Sequence, residues 1–285
     1  MTVLETIQKS AEFLSKKGIE SSRLQAELLL AHLLKMPRMK LYLNFDRALT
    51  EQETNSLREF VKRRGQREPL QHITGSTSFC GFEIAVDRRA LVPRPETEML
   101  AELGWTFLST LSSAQTALDV GTGTGCIAIA LAAKCLDARI TAIDASADAL
   151  ALAAENARTN NVIARIEFLQ GDGFKALSEG ATFDLIVSNP PYIPTAEIET
   201  LEPEVRDFDP RGALNGGTDG LDFYRMFAAQ AAPRLRPGGK LMLELGDGQA
   251  PEVQKLFEAE NWIVEAVKDD YSQRARILIT TWKVS

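Results

Sequence analysis

The segment Ser188-Asn189-Pro190-Pro191-Tyr192 combines residue types that could hold a planar nitrogen group for chemistry. It follows an apolar, β-branched run over 183–187, which is typical of a buried strand. Each proline fixes its own φ and removes a backbone N–H, and the residue before a proline is pushed out of the helical region. We therefore predict a stiff, extended stub whose carbonyl groups have no donors beside them.

An amide –NH2 docked against this stub would find two acceptors, the Asn189 side-chain oxygen and the Pro190 backbone carbonyl. Tyr192 would offer a flat face to a planar group. Such a site could turn the lone pair of a poor nitrogen nucleophile toward an electrophile, so the predicted catalytic residues are Asn189, Pro190, Pro191 and Tyr192. The alternative is structural, because Asn-Pro commonly opens a turn and the segment could simply end its strand.

A glycine-rich loop, Gly121-Thr122-Gly123-Thr124-Gly125, lies between a predicted strand over 116–120 and a predicted helix that begins at Cys126. Glycines at this place allow a tight turn and close approach of a ligand to a helix N-terminus. A dinucleotide fingerprint would need a glycine at position 126, so the loop disfavours NAD. The spacing, with Asp119 before it, indicates S-adenosylmethionine instead.

Further polar residues follow the next predicted strands at the same edge of the sheet. Asp144 ends the second strand, where an acid accepts hydrogen bonds from ribose hydroxyls, although it could also cap the following helix. The segment 172–174 (Asp-Gly-Phe) follows the third strand and is placed to meet the edge and face of adenine. The predicted cofactor-binding residues are Asp119, Gly121, Thr122, Gly123, Thr124, Gly125, Asp144, Asp172, Gly173 and Asn189.

Alternating strand and helix patterns from residue 116 onward predict the sheet that positions these residues. No helical pattern separates the last two strands, so they must form a hairpin and one strand must be antiparallel. The fold class is therefore α/β and Rossmann-like, a seven-stranded mostly parallel sheet with one antiparallel strand. The predicted strands are 116–120, 138–144, 165–169, 183–188, 240–245, 262–268 and 275–282.

The remainder of the chain predicts a small N-terminal helical domain over 1–75, a β-hairpin linker over 76–95 with Gly81 at its turn, and a catalytic domain over 96–285. Capping-box patterns at Thr2-x-x-Glu5, Ser22-x-x-Gln25 and Thr50-x-x-Glu53 head three of the helical segments. A further helix is predicted to begin at Pro95 or Glu96.

Composition limits the function classes. With 45% apolar and 25% charged residues in 285, the chain has an ordinary globular composition. Residues 1–70 carry a net charge of +4 and the rest carries −11, which makes the catalytic domain a poor partner for duplex DNA. Two histidines and three cysteines without metal-like or paired spacing predict no metal site and a reducing compartment. Without a signal peptide or a membrane-length apolar run, we expect a cytoplasmic protein with no membrane partner.

Five segments together resemble the release-factor glutamine methyltransferases, the PrmC/HemK family, and the resemblance extends over nearly the full length. They are Gln71-His-Ile-Thr-Gly75, Val92-Pro-Arg-Pro-Glu-Thr-Glu98, Asp119-Val-Gly-Thr-Gly-Thr-Gly125, Ser188-Asn-Pro-Pro-Tyr192 and Asp219-Gly-Leu-Asp222. The Asn-Pro-Pro-Tyr segment is also found in other amino-group methyltransferases, and the Pro-Arg-Pro-Glu-Thr element with a helical head narrows the match.

The resemblance implies a class I S-adenosylmethionine-dependent methyltransferase domain that methylates N5 of the glutamine in the Gly-Gly-Gln loop of class-one peptide chain release factors. S-adenosyl-L-homocysteine would be the product. By motif position, Gly121 to Gly125, Asp144 and Gly173 would contact the cofactor, and Asn189 to Tyr192 the glutamine. The helical domain would recognise the substrate, and we expect a monomer.

Two alternatives remain open from the sequence. An adenine-N6 DNA or RNA methyltransferase would flip a base onto Tyr192, but the acidic catalytic domain and the lack of a basic target-reading domain argue against direct nucleic-acid binding. The basic cluster over 62–67 could contact RNA. Alternatively, its positive charges could stabilise the C-terminal end of their helix by interacting with the helix dipole. A non-catalytic scaffold that binds the cofactor is the second alternative.

Overall fold

The computed structural model describes residues 1–112 and 114–283. The chain divides into two compact units, the first comprising Met1–Ser76 with Glu202–Phe208, and the second comprising Thr77–Leu201 with the chain from Asp209 onward. Across the described residues, no helix has both the length and the apolar character needed to cross a membrane.

The helices are, in chain order, α1 (Val3–Lys16), α2 (Ser22–Leu33), α3 (Arg38–Leu41), α4 (Glu51–Gly65), α5 (Leu70–Thr74), α6 (Pro95–Leu108), α7 (Cys126–Lys134), α8 (Ala147–Thr159), α9 (Pro203–Arg206), α10 (Asp222–Gln230) and α11 (Ala250–Ala259). The strands are β1 (Ser76–Phe79), β2 (Phe82–Ala85), β3 (Thr116–Val120), β4 (Arg139–Asp144), β5 (Ile166–Gln170), β6 (Phe183–Ser188), β7 (Leu235–Glu244), β8 (Trp262–Asp269) and β9 (Ala275–Trp282).

Helices α1, α2 and α4 form the core of the first unit through buried apolar side chains such as Leu14, Leu30 and Leu57. The capping boxes at Thr2 and Thr50 are both present, which confirms two of the three predicted helix starts. The third prediction is wrong. Ser22 is the first residue of α2, and the preceding Ser21 has a left-handed backbone (φ 47°) and makes no side-chain cap.

The basic cluster at the end of α4 is largely engaged in ion pairs within the first unit. Arg64 lies 2.7 Å from Glu204 on the returning segment, and Arg67 lies 2.7 Å from the same carboxylate. Arg63 pairs with Glu68 at 2.6 Å. These guanidinium groups therefore hold carboxylates of their own chain, which weakens the view of the cluster as an open RNA contact.

The second unit contains a seven-stranded sheet in the order β5-β4-β3-β6-β7-β9-β8. Strand β9 is antiparallel to β7 and to β8, whereas the strands from β5 to β7 pair in parallel, so the predicted sheet and its antiparallel strand are confirmed. The chain progresses outward from β3 in one direction and then returns to place β6 on its other side. Ligands bind at such a switch point, beyond the carboxyl ends of the strands.

Helices cover both faces of this sheet. Ala117 of β3 belongs to an apolar cluster that includes Leu100 of α6 and Leu131 of α7. Its neighbour Leu118 belongs to a cluster on the other face, with Tyr224 of α10. Successive side chains of a strand point to opposite faces, so a strand buried on both sides is apolar at nearly every position.

The short hairpin and the first helix of the second unit form where they were predicted. Strands β1 and β2 pair as a two-stranded sheet, and both turn residues, Cys80 (φ 51°) and Gly81 (φ 83°), have left-handed backbones, as tight hairpins require. Helix α6 begins at Pro95, which fits the first helical turn because that turn needs no N–H from it.

Candidate active site

A cavity of about 280 Å³ lies at the carboxyl ends of β3, β4, β5 and β6, at the switch point of the sheet. Of the residues predicted to bind the cofactor or substrate, eight line it: Gly121, Gly123, Asp144, Asp172, Gly173, Asn189, Pro190 and Pro191. The parallel sheet thus brings together residues from four separate loops. The other predicted site residues, Asp119, Thr122, Thr124, Gly125 and Tyr192, are not among the described lining residues.

Asp119 supports the glycine loop from below. Its side chain is fully buried, and its Oδ2 accepts hydrogen bonds from the Thr122 hydroxyl (2.6 Å) and the Ala128 N–H (3.2 Å). Burial raises the pKa of Asp119 to about 7, against the lowering effect of these two hydrogen bonds. Asp119 and Thr122 therefore shape the loop, and Gly121 and Gly123 present it to the cavity.

The end of the loop is fixed by close packing. Gly125 has φ 80°, and a Cβ added there would lie 2.9 Å from the Cβ of Ala153 in α8. Only glycine meets both constraints without displacing α8, since other residues disfavour this backbone region and would clash. Helix α7 begins at the next residue, Cys126, with its first N–H groups near the loop.

Asp144 binds the loop on one side and begins the following turn on the other. Its Oδ2 accepts from the Gly123 N–H and its Oδ1 from the Ser146 N–H, each at 2.9 Å. Ser146, rather than Asp144, caps α8 through the Ala149 N–H. A carboxylate has about four acceptor positions, so Asp144 keeps capacity for ligand hydroxyls.

The segment after β5 follows the prediction only in part, because Asp172 and Gly173 line the cavity whereas Phe174 does not. Asp172 pairs with Lys175 at 2.6 Å, and both side chains are largely exposed. Phe174 turns into the core, where its ring packs edge-on against Phe227 with the centroids 5.7 Å apart. The prediction that Phe174 offers a face to adenine is therefore wrong.

Apolar side chains of α10 line the cavity near Gly173. Phe223 and Met226 lie three residues apart on one face of the helix, and both are lining residues. The Met226 sulfur and methyl carbon lie 3.6 Å from the position that a Cβ of Gly173 would take. Neither residue is among those predicted from the sequence, although their spacing of three residues on one face of a helix is a signal that the sequence contains.

Asn189 directly follows β6 and is linked by hydrogen bonds to two residues that are distant in the sequence. Its Nδ2 donates to the Thr97 hydroxyl (3.1 Å), and that hydroxyl donates to Oε2 of Glu244 (2.6 Å). Thr97 and Glu244 are 3% and 1% exposed, so bulk water does not compete for these hydrogen bonds. Burial raises the pKa of Glu244 to about 7. Neither residue was identified as functional from the sequence.

Tyr192 lies behind the stub. Its backbone carbonyl accepts from the Gln249 side-chain N–H (2.9 Å), and its ring carbon Cδ2 would lie 2.9 Å from a Cβ added at Gly246. Burial raises the pKa of the Tyr192 phenol to about 12. The ring thus packs against the chain beside it, whereas the stub presents Asn189, Pro190 and Pro191 to the cavity.

The loop before α6 completes the cavity wall. Arg89, Ala90 and Leu91 line it, and Arg89 is held by carboxylates of Asp87 and Glu155 at 2.8 and 2.9 Å. These lining residues precede the Pro-Arg-Pro-Glu-Thr element, which contributes instead through the buried Thr97 contact.

Comparison with known proteins identifies the family of this chain. The family model of the PrmC N-terminal domain matches residues 5–75, and that of the methyltransferase small domain matches residues 104–201. A release factor glutamine methyltransferase from Geobacter sulfurreducens is 44% identical over 256 residues, which cover 90% of this chain and 88% of that protein. Another, from Chlorobaculum tepidum, is 44% identical over 275 residues, which cover 94% and 93%.

Among solved structures, a methyltransferase from Pyrococcus furiosus matches 71% of this chain and 90% of its own with a TM-score of 0.52 at 23% identity, which supports the fold. The sequence relatives carry the family assignment, because both are well above 30% identity over most of the chain. The resemblance inferred from the motifs is confirmed, and the chain belongs to the release factor glutamine methyltransferase family.

Proposed function

We propose that this protein transfers a methyl group from S-adenosylmethionine to the side-chain amide nitrogen of the glutamine in the Gly-Gly-Gln loop of class-one peptide chain release factors. The observation that carries the proposal is the position of Asn189 and Pro190 on the wall of a cavity that the glycine loop also lines. The names of the relatives support the choice of substrate.

The lining suits S-adenosylmethionine, which when bound supplies an electrophilic methyl group on its sulfonium. A Cβ added at Gly121 would meet no atom within 4 Å, so the backbone there is open to a ligand. Asp144 has acceptor capacity left for ribose hydroxyls. Phe223 and Met226 provide apolar surface for adenine. The same residues would hold the product S-adenosyl-L-homocysteine.

Asn189 and Pro190 would activate the substrate nitrogen. An amide nitrogen is a poor nucleophile because its lone pair is delocalised. If the Asn189 Oδ1 and the Pro190 carbonyl each accept one N–H of the glutamine, they hold the nitrogen in place and raise its electron density. Positioning supplies much of the rate, and acceptors aimed at the developing positive charge stabilise the transition state. As the N–C bond forms, the bond between the methyl carbon and sulfur breaks, and its electron pair stays on the sulfur of S-adenosyl-L-homocysteine. The nitrogen proton becomes acidic at that stage and is then lost to solvent, so no base is needed before attack.

The structure gives less support to an adenine-N6 methyltransferase. A flipped base would need Tyr192 as a stacking surface, but Tyr192 is not a described lining residue of the cavity. Arg63, Arg64 and Arg67, in the basic cluster at the C-terminal end of α4, are paired with carboxylates, so this cluster offers little free charge for phosphate. We further propose that the enzyme is cytoplasmic and monomeric and that its helical unit recognises the release factor.

The test is methyl transfer from labelled S-adenosylmethionine to a purified class-one release factor, with adenine-containing DNA and RNA assayed in parallel. We expect label on the release factor, and we expect it to disappear when the loop glutamine is changed to alanine. Label on nucleic acid alone would establish the adenine activity instead. Cofactor binding without transfer to any of these acceptors would indicate a scaffold.

A further inference from the structure

The side-chain amide of Asn189 can serve the proposed reaction in only one of its two orientations. Its Oδ1 accepts hydrogen bonds, whereas its Nδ2 only donates. A substrate –NH2 group is a donor, so Nδ2 facing it would repel the group that the site must hold. The two orientations have nearly the same shape, and neighbouring hydrogen bonds must therefore select between them.

The contacts of Asn189 supply that selection. An ionised carboxylate can only accept, so the Thr97 hydroxyl uses its single proton on Glu244 at 2.6 Å. The lone pairs of the Thr97 oxygen are then left for Asn189, which must present Nδ2 to them, and it does so at 3.1 Å. With Nδ2 engaged, Oδ1 points away from Thr97.

We propose that Thr97 and Glu244 are positioning residues that fix the Asn189 amide with Oδ1 toward the substrate nitrogen. This inference rests on the proposed function, since it assigns two further residues to the same reaction. Neither residue lines the cavity among the residues described there, so both act through Asn189 and not by contact with substrate. Asn189 directly follows β6, Thr97 lies in α6 and Glu244 is the last residue of β7, so a different element of the fold positions each side chain.

The charge of Glu244 controls the direction of this chain of hydrogen bonds. The groups that face it are Arg276 from β9, Arg94 and Glu96 at the start of α6, the Tyr192 ring, and Tyr224, whose hydroxyl donates to the Glu244 backbone carbonyl at 2.9 Å. Burial raises the pKa of Glu244 to about 7, and the Thr97 hydroxyl and the arginines oppose the rise. The carboxyl therefore titrates within the working range of an enzyme.

Protonation would remove the selection. A neutral Glu244 can donate to Thr97, and the Thr97 proton is then free to turn toward Asn189. The amide can flip, accept that proton with Oδ1 and present Nδ2 to the substrate. Methyl transfer should therefore weaken as the pH falls through about 7, and this acid limb should belong to Glu244.

The first experiment compares Thr97→Val, which removes the hydroxyl at nearly constant shape, with Thr97→Ser, which keeps it. A matched control is Thr280→Val, because Thr280 is also fully buried but lies on β9 outside this hydrogen-bond chain. We expect kcat for release-factor methylation to fall about 10- to 100-fold in Thr97→Val, less than the loss of a direct contact would cause. Thr97→Ser and Thr280→Val should stay within about threefold of the wild type.

Affinity for S-adenosyl-L-homocysteine, measured by calorimetry, should stay within about threefold of the wild-type value in all three variants, since neither Thr97 nor Thr280 lines the cavity. A general structural effect would change affinity and melting temperature together. Equal kcat values in Thr97→Val and Thr97→Ser would overturn the inference. If instead the wild type transfers no methyl group to the release factor, the proposed function itself fails.

The second experiment uses Glu244→Gln, which cannot ionise. We expect the wild-type kcat to decline several-fold between pH 8 and pH 6, and we expect the Gln variant, although slower at pH 8, to lose this decline. The same acid limb in both proteins would assign it to another group and overturn the role of Glu244. This profile also decides the matter if Thr97→Val does not fold.

Discussion

The same kind of side-chain pair supports each end of the cavity: a buried carboxylate accepts a hydrogen bond of 2.6 Å from a threonine hydroxyl. At the glycine loop the pair is Asp119 and Thr122, and at the stub it is Glu244 and Thr97. Burial raises the pKa of both carboxyls to about 7. The pairs differ in sequence separation, because the first joins residues three apart in the chain and the second joins residues 147 apart.

We expect the two pairs to affect different quantities, the first the affinity for the cofactor and the second the rate of methyl transfer. In the proposed mechanism, the Asp119 pair shapes a loop that meets the cofactor at Gly121 and Gly123, which line the cavity, so the loss of this pair should weaken cofactor binding. The Glu244 pair holds a side chain, Asn189, that meets the reacting nitrogen in the proposed mechanism. Its loss should lower the rate and leave the cofactor bound.

The largest effect should come from Asn189→Ala, which removes the acceptor at the stub. Losing one preorganised hydrogen bond to a transition state typically lowers kcat about 10²- to 10³-fold. We expect a loss of this size for release-factor methylation, with affinity for S-adenosyl-L-homocysteine nearly unchanged in calorimetry. If the variant kept more than about a tenth of the wild-type kcat, the role assigned to Asn189 would be wrong.

This difference in sequence separation also explains which features could be predicted from the sequence. The strands, the order of strand and helix, and the glycine loop depend on local periodicity and on residues a few positions apart. These predictions match the structure, except that β7 begins at Leu235 and not at the predicted residue 240. Nothing local links Thr97 to Glu244, although an acid at the end of a buried strand was a visible anomaly. The contact exists only because α6 packs near the end of β7.

Two other departures have equally physical causes. Phe174 was expected at the cavity, but the left-handed backbone of Gly173 (φ 56°) starts a short 3₁₀ turn that directs the ring into the core. Ser22 carried a capping-box pattern, but the left-handed Ser21 before it moved the cap position by one residue. In both cases, one residue with an unusual φ changed the direction of its neighbour, which spacing rules do not anticipate.

A smaller effect is expected from Asp119→Ala, which tests the other end of the cavity. The Thr122 hydroxyl and the Ala128 N–H would lose their acceptor, and leaving such groups unsatisfied costs about 1–3 kcal/mol. Because this change disturbs the loop, we expect the dissociation constant of S-adenosyl-L-homocysteine, measured by calorimetry, to rise about tenfold or more. The kcat at saturating S-adenosylmethionine should stay within about threefold of the wild type.

Asp119→Asn is the matched control for this change. Its amide oxygen can still accept both hydrogen bonds, so the loop should keep its shape and the affinity should lie between those of the wild type and Asp119→Ala. A fall in kcat at saturation without a change in affinity would contradict the separation of the two ends, because the glycine loop would then act in the chemical step.

The smallest expected effect is on the pH dependence of the free energy of unfolding, and it should be about equal for the two carboxyls. Burial raises the pKa of Glu244 from an ordinary value of 4.5 to about 7, and that of Asp119 from 3.8 to about 7. The folded chain therefore holds these protons more tightly than the unfolded chain. The stabilisation is full below the unfolded values and is lost as the pH rises through about 7. Each carboxyl should lower the free energy of unfolding by about 1 kcal/mol between pH 6 and pH 8.

Melting curves at pH 6 and pH 8 for the wild type, Asp119→Asn and Glu244→Gln measure this contribution. Removing either carboxyl should reduce the fall in melting temperature between the two pH values by about 2–4 °C, because about 1 kcal/mol corresponds to such a shift in a domain of this size. Equal reductions would show that both carboxyls are protonated and deprotonated in the same range. A reduction in Asp119→Asn alone would mean that Arg276 and Arg94 keep Glu244 ionised at pH 6. The acid limb of turnover would then belong to a group outside the Thr97 contact.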